Sequence, residues 1–172
     1  LLAATRIMQD VVAAAHRHPP HGRGTVGMVQ VFPNSRNVIP GRVKFSIDLR
    51  NATDALVDQM ADEVKAFAAK VAQEHGVDVK IEMVSSYNAI AFHENCVDAV
   101  GRAAKKLGYS NMPAVSGAGH DAVYMAKLAP AGMIFIPCKD GISHNEIEDA
   151  KPEHIEAGCN VLLHAMLERA GT

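Results

Sequence analysis

The chain has 172 residues, with 17 Lys and Arg against 19 Asp and Glu and a formal net charge of -2. No run of basic residues concentrates positive charge, so neither nucleic acid nor an anionic membrane is expected as a partner. No apolar run approaches the roughly 18 residues that cross a bilayer. Three cysteines without Cys-x-x-Cys spacing favour a reducing, cytoplasmic environment.

The first half of the chain has the pattern of an α+β unit. Residues 1–16 carry apolar side chains at helical spacing, and residues 25–32 and 43–49 predict strands, the second with strict alternation. A helix follows that Asn51 or Thr53 caps and Gly76 ends, and residues 77–83 predict a third strand. The order helix, strand, strand, helix, strand indicates a split βαβ unit without its first strand.

The second half predicts a different layer. A helix begins near Glu94 and ends at Gly108, a short helix runs to about Leu128, and a closing helix spans residues 152–169. The compact apolar segment 133–137 predicts a buried strand, so strands alternating with helices indicate a parallel α/β layer. We therefore expect two domains, residues 1–90 and 91–172.

His144 is the first candidate site residue, because it lies in the loop that follows the apolar segment 133–137. Open α/β sheets bind ligands in such loops, and a neutral imidazole is a good metal ligand that Asn145 or Glu146 can orient. The alternative is a solvated surface histidine, as also expected for His16, His18 and His21 in their proline-flanked loop.

The segment Gly117-Ala-Gly-His-Asp121 is the second candidate, because its glycines permit close approach of a ligand to the backbone. The alternative is a tight turn that Asp121 caps. His120 is expected to hold this loop together rather than to bind metal.

Arg50 and Asn37 form the third candidate. A guanidinium can donate two parallel hydrogen bonds to a carboxylate, and an amide can bind a carbonyl or ureido group. The alternatives are an exposed ion pair of Arg50 with Asp48 or Asp54, and a turn role for Asn37.

Three segments, taken together, resemble one family. They are Asn37-Val-Ile-Pro-Gly-Arg-Val-Lys-Phe-Ser-Ile-Asp-Leu-Arg50, Ser116-Gly-Ala-Gly-His-Asp-Ala122 and Gly141-Ile-Ser-His-Asn-Glu146. Their order and spacing are similar to the lid domain and terminal catalytic segment of dinuclear amidohydrolases in the M20 metallopeptidase superfamily. These include N-carbamoyl-L-amino-acid hydrolase, β-ureidopropionase and allantoate amidohydrolase. The resemblance covers essentially the whole chain.

The resemblance implies a ferredoxin-like split βαβ lid, residues 1–90, that forms a homodimer. The C-terminal part of an α/β metallohydrolase catalytic domain, residues 91–172, would follow it. The implied activity is hydrolysis of the C–N bond of small N-carbamoyl amino acids, ureido acids or allantoate, with two divalent metal ions (Zn, Mn, Ni or Co).

The resemblance also implies roles for single residues. His144 matches a metal ligand, Asn37 and Arg50 match residues that bind the substrate's carboxylate and amide groups, and Gly119, or else Gly117, matches a glycine whose backbone contacts substrate. No residue matches a catalytic position, since the family's N-terminal half, with the other metal ligands, has no counterpart here. The chain alone is therefore expected to be inactive and to bind metal poorly. The alternatives are an M20-type aminopeptidase or deacylase, and a non-catalytic α+β dimerisation module.

Overall fold

The computed structural model describes residues 1–171 and divides into two compact units, Leu1–Ala89 and Ile90–Thr172. The division lies one residue before the predicted boundary. Its helices and short strands confirm the predicted mixed α/β class. In chain order these are α1 Leu2–Arg17, β1 Arg23–Thr25, β2 Val29–Phe32, β3 Arg42–Phe45, β4 Asp48–Arg50, α2 Asp54–His75, α3 Glu94–Lys106, α4 Asp121–Met125, a 3-10 turn at Lys139–Gly141 and α5 Pro152–Ala170.

The strands of the first unit form two short antiparallel pairs. Strand β1 pairs with β4, with Arg23 opposite Arg50, and β2 pairs with β3, with Val29 opposite Phe45. The two strands predicted over 25–32 and 43–49 are therefore each broken in the middle. At the break Ser46 bonds with Met28 through its backbone N–H and through its hydroxyl oxygen, at 3.0 and 3.1 Å, which keeps the two halves of the hairpin together.

Helices α1 and α2 form the core of the first unit. One face of α1 buries Ile7, Val11 and Ala14, which follow the i, i+4, i+7 spacing of a helix stripe. These residues pack against the buried face of α2, and the alternating side chains Phe45, Ile47 and Leu49 of the hairpin cover them. Close approach of β1 to α1 requires Gly24, since a Cβ there would collide with the carbonyl oxygen of Val11.

The ends of α2 follow local signals in the sequence. The Thr53 hydroxyl oxygen accepts a hydrogen bond from the Leu56 N–H at 3.4 Å, and Gly76 ends the helix in the left-handed conformation with φ 61°. Thr53, rather than the alternative Asn51, is thus the N-cap. Each end satisfies backbone groups that a helix leaves without partners.

The prediction of a third strand at residues 77–83 is wrong. Residues 77–83 are not assigned to any strand, and their alternating apolar side chains are exposed, from 41% at Val79 to 73% at Met83. A strand exists only where a neighbouring backbone accepts and donates its ladder hydrogen bonds. Within residues 1–171 no neighbouring strand pairs with this segment.

Helices α3 and α5 form the core of the second unit. Small side chains allow the close packing: Ala99, Ala103 and Ala104 of α3 meet Val161 and Ala165 of α5. The predicted strand at 133–137 is also wrong, because this segment has no strand partner among the described residues, and the predicted parallel layer is absent there. No helix within residues 1–171 is both long and apolar enough to span a membrane.

Candidate functional site

Arg50 lies at the end of β4 and points to the same side of the strand as Asp48, because alternate residues share a face. Its Nε and Nη2 donate to the two carboxylate oxygens of Asp48 at 2.7 and 3.1 Å. This ion pair, which raises the pKa of Arg50 through the hydrogen bond, is about half exposed on both sides. The structure therefore contains the ion pair that was the alternative explanation for Arg50.

Asn37 lies in the exposed loop between β2 and β3. The Ser35 hydroxyl donates to its Oδ1 at 2.9 Å, while within residues 1–171 its amide nitrogen has no hydrogen-bond acceptor. The hydrogen bond with Ser35 fits a turn role, and the amide N–H groups remain able to donate to a ligand.

The glycine loop, residues 116–120, precedes α4 in the second unit. Gly117 and Gly119 have no atom within 4 Å of the position that a Cβ would occupy, and neither has a positive φ. Packing and backbone strain within the described residues therefore give no reason for glycine at these two positions. His120 closes the loop, because its Nε2 lies 2.6 Å from the Ser116 Oγ. His120, not Asp121, is the N-cap of α4.

His144 lies in an exposed turn and has an unusual left-handed backbone with φ 56°. Its backbone N–H donates to the Glu148 Oε2 at 2.8 Å, and the Asn145 side chain accepts from the Ile147 N–H at 3.2 Å. Glu148, which the sequence reasoning missed, thus holds the backbone of His144. A non-glycine residue at positive φ carries strain of about 1–3 kcal/mol, and such strain concentrates at functional sites.

A metal site requires several donor groups that lie close together. Among residues 1–171, no three His, Cys, Asp or Glu side chains lie close enough together to hold an ion. A metal usually needs three or more protein ligands, and within the described residues His144 is not part of such a group.

The predicted site residues belong to different units. Asn37 and Arg50 lie in the first, where their side chains bond with Ser35 and with Asp48, and Gly117, Gly119 and His144 lie in the second.

One charged cluster was not foreseen. His18, expected in a solvated loop, is mostly buried, and its Nε2 lies 2.8 Å from the Glu63 Oε1. Arg17 donates to the other Glu63 oxygen and to Asp10, both at 3.0 Å. The sequence offered no signal for this cluster, because Glu63 is 45 residues away from His18.

The comparisons with known proteins cover nearly the whole chain. The model of Peptidase family M20/M25/M40 matches residues 4–168. The chain is 46% identical over 169 residues to an N-carbamoyl-L-amino-acid amidohydrolase of Rhizobium meliloti, covering 98% of this chain and 41% of that protein. It is 31% identical over 170 residues to an allantoate amidohydrolase of Bacillus subtilis (strain 168), covering 99% of this chain and 41% of that protein.

A solved structure is also similar. The crystal structure of an amidase of the hydantoinase/carbamoylase family from Burkholderia multivorans matches with a TM-score of 0.95 and 52% identity, covering 98% of this chain and 41% of that chain. The chain thus spans about 41% of the length of these relatives. With the family model matching almost end to end, the chain belongs to Peptidase family M20/M25/M40, the superfamily that its three sequence motifs predict.

Proposed function

We propose that the complete polypeptide carrying this sequence is a metal-dependent amidohydrolase that cleaves the C–N bond of N-carbamoyl amino acids, ureido acids or allantoate. The observation that carries the proposal is the similarity, over 98% of this chain, to a protein named N-carbamoyl-L-amino-acid amidohydrolase. The likeness to an allantoate amidohydrolase supports the same class of substrate, a small molecule with a carboxylate and a ureido group.

Arg50 and Asn37 are the proposed substrate-binding residues of the first unit. The guanidinium already holds a carboxylate, that of Asp48, through two hydrogen bonds. An exposed carboxylate of a substrate can take its place at little cost, because an exposed ion pair contributes only about 0.2–1 kcal/mol. Asn37 would donate its amide N–H groups to the substrate's carbonyl oxygen.

Gly119, with Gly117 as the second choice, is the proposed backbone contact of the second unit. This role is supported by the space next to the backbone, because a Cβ at either glycine would have no described heavy atom within 4 Å, whereas a side chain there would obstruct a ligand.

His144 is proposed as one ligand of a divalent metal centre, with Zn, Mn, Ni and Co as candidates and two ions as the expected number. The other ligands would come from the part of the relatives' length that this chain does not span. No catalytic residue is assigned to the chain itself.

We also propose that residues 1–90 form the lid domain, which mediates homodimerisation, that residues 91–172 complete a catalytic domain, and that the protein is cytoplasmic. Sedimentation of the complete polypeptide tests the dimer. A monomer at all working concentrations contradicts it.

The activity is tested by ammonia release from allantoate, N-carbamoyl-L-amino acids and N-carbamoyl-β-alanine, using the complete polypeptide loaded in turn with Zn, Mn, Ni or Co. We expect turnover of at least one of these substrates. Dipeptides and N-acyl amino acids are assayed in parallel, because the name of the family favours a peptidase or deacylase as the second candidate. Turnover of these compounds without turnover of the carbamoyl and ureido substrates overturns the proposal.

A further inference from the structure

The hydroxyl of Ser116 makes two hydrogen bonds within the glycine loop. Its Oγ accepts from the Ala118 backbone N–H at 3.2 Å and lies 2.6 Å from the His120 Nε2. Ser116 itself is exposed, and the His120 ring is half-buried with its edge against Phe135, at 5.5 Å between ring centroids. One hydroxyl group thus connects the backbone between the two glycines to the imidazole that follows them.

The hydrogen bond between Ser116 and His120 can be donated from either side, depending on which ring nitrogen of His120 carries the proton. Bonds with an O–H donor have typical lengths near 2.7–2.8 Å, whereas N–H donors give about 2.9–3.0 Å. The short distance of 2.6 Å favours the Ser116 hydroxyl as the donor and the Nε2 lone pair as the acceptor. The Ala118 N–H uses one lone pair of the same oxygen, which leaves the hydroxyl's single proton for donation to the imidazole. A neutral His120 then carries its ring proton on Nδ1.

We propose that Ser116 is a positioning residue for the substrate. It fixes the shape of the backbone at Gly117 and Gly119 and holds His120 in the Nδ1–H tautomer, so that this N–H donates to an acceptor oxygen of the bound ligand. Among residues 1–171, Nδ1 of His120 has no hydrogen-bond partner, which leaves it available. The contact with substrate rests on the proposed function, whereas the proposed tautomer rests on the loop geometry and not on the activity.

The tautomer is tested by long-range 1H–15N correlation spectra of this chain near neutral pH, with the His120 signals identified by their loss in His120→Asn. We expect a protonated Nδ1 and an unprotonated Nε2 in the wild type. In Ser116→Ala we expect a shift toward the Nε2–H form, and in Ser116→Thr the wild-type pattern, because threonine retains the hydroxyl. A wild-type spectrum with the Nε2–H form overturns the inference whether or not the enzyme is active.

The role toward substrate is tested in the complete polypeptide. Loss of one neutral hydrogen bond corresponds to about a tenfold change, so we expect kcat/KM in Ser116→Ala to fall about tenfold, chiefly through KM, with recovery in Ser116→Thr. His120→Asn, whose amide can take the place of Nδ1–H, should retain more activity than His120→Gln. Ser110→Ala, an exposed serine of the same unit without a side-chain hydrogen bond in the described part, is the matched control.

These measurements distinguish failure of the proposed function from failure of the positioning role of Ser116. A wild-type enzyme that turns over no carbamoyl or ureido compound overturns the proposed function, and the spectra still decide the tautomer. An active wild type with unchanged KM and kcat in Ser116→Ala overturns the positioning role and leaves the proposed function intact.

Discussion

The Nε2 of His18 lies 2.8 Å from the Glu63 Oε1 and connects the end of α1 to the middle of α2. The hydrogen bond with His18, and then the bond with Arg17, lower the pKa of the Glu63 carboxyl below its usual value of 4.5. A carboxyl whose pKa is lower in the folded state stabilises the fold fully above the unfolded pKa. That contribution is lost as the pH falls through the folded pKa.

Glu63→Gln is therefore expected to lower the free energy of unfolding by about 1 kcal/mol near neutral pH. The difference from wild type should disappear in acid, below the lowered pKa of Glu63, where both proteins are neutral at this position. Denaturant titrations at a series of pH values measure this difference in the free energy of unfolding. Asp58→Asn, on the same helix but without an ion pair among the described residues, is the control, and an equal effect there would refute a specific role for Glu63.

Arg50→Lys in the complete polypeptide is expected to raise KM for carbamoyl substrates by about 10- to 100-fold, with a smaller change in kcat. A lysine keeps the charge but cannot donate two parallel hydrogen bonds to a carboxylate. Steady-state kinetics measure the separation of KM from kcat. Lys44→Ala removes an exposed cation from β3, the strand that precedes β4 in the chain, and should leave both constants near wild type. If Arg50→Lys behaves like Lys44→Ala, Arg50 does not bind the carboxylate.

Gly119→Ala should leave the stability of this chain within about 0.5 kcal/mol of wild type, because its Cβ would have no described heavy atom within 4 Å and its φ is not positive. In the complete polypeptide the same change should weaken substrate binding. Gly24→Ala is the contrasting variant, since its Cβ collides with the Val11 carbonyl and should destabilise the fold by more than about 1 kcal/mol. Thermal unfolding measures the stability of both variants, and steady-state kinetics of the complete polypeptide measure KM for Gly119→Ala. A destabilised Gly119→Ala with normal KM would assign that glycine to folding alone.

His144→Ala in the complete polypeptide is expected to remove one divalent metal ion per subunit, because the variant lacks an imidazole donor. Elemental analysis after gel filtration measures the stoichiometry. His16→Ala, which removes an exposed imidazole from α1, should keep the wild-type metal content. Wild-type metal content in His144→Ala would show that position 144 is not a ligand.

Local signals in the sequence predicted the elements that depend on neighbouring residues. The cap at Thr53, the left-handed Gly76 and the alternation of residues 43–49 act over a few positions, and the structure contains each of them. The strand at 77–83 was predicted from alternating apolar residues, and the strand at 133–137 was predicted from a compact apolar run. They depend on a partner backbone, which the pattern of one segment cannot reveal.

In the candidate site, too, contacts between residues close in sequence were predictable and contacts that depend on the folded chain were not. The exposed ion pair of Arg50 with Asp48 was foreseen as an alternative, because two residues on one face of a strand are close in sequence. The hydrogen bond that the backbone N–H of His144 donates to the Glu148 carboxylate was not foreseen, since the sequence does not reveal the left-handed backbone at His144. The burial of His18 against Glu63 required a contact between distant helices.

The exposed row Val77, Val79, Ile81 and Met83 has a practical consequence for work with this polypeptide. A segment with alternating exposed apolar side chains and no strand partner among the described residues can pair with the same segment of other copies, and such pairing leads to aggregation. The apparent molar mass from light scattering should therefore rise with concentration. Ile81→Lys should keep it constant, because the added charges of two approaching copies repel each other.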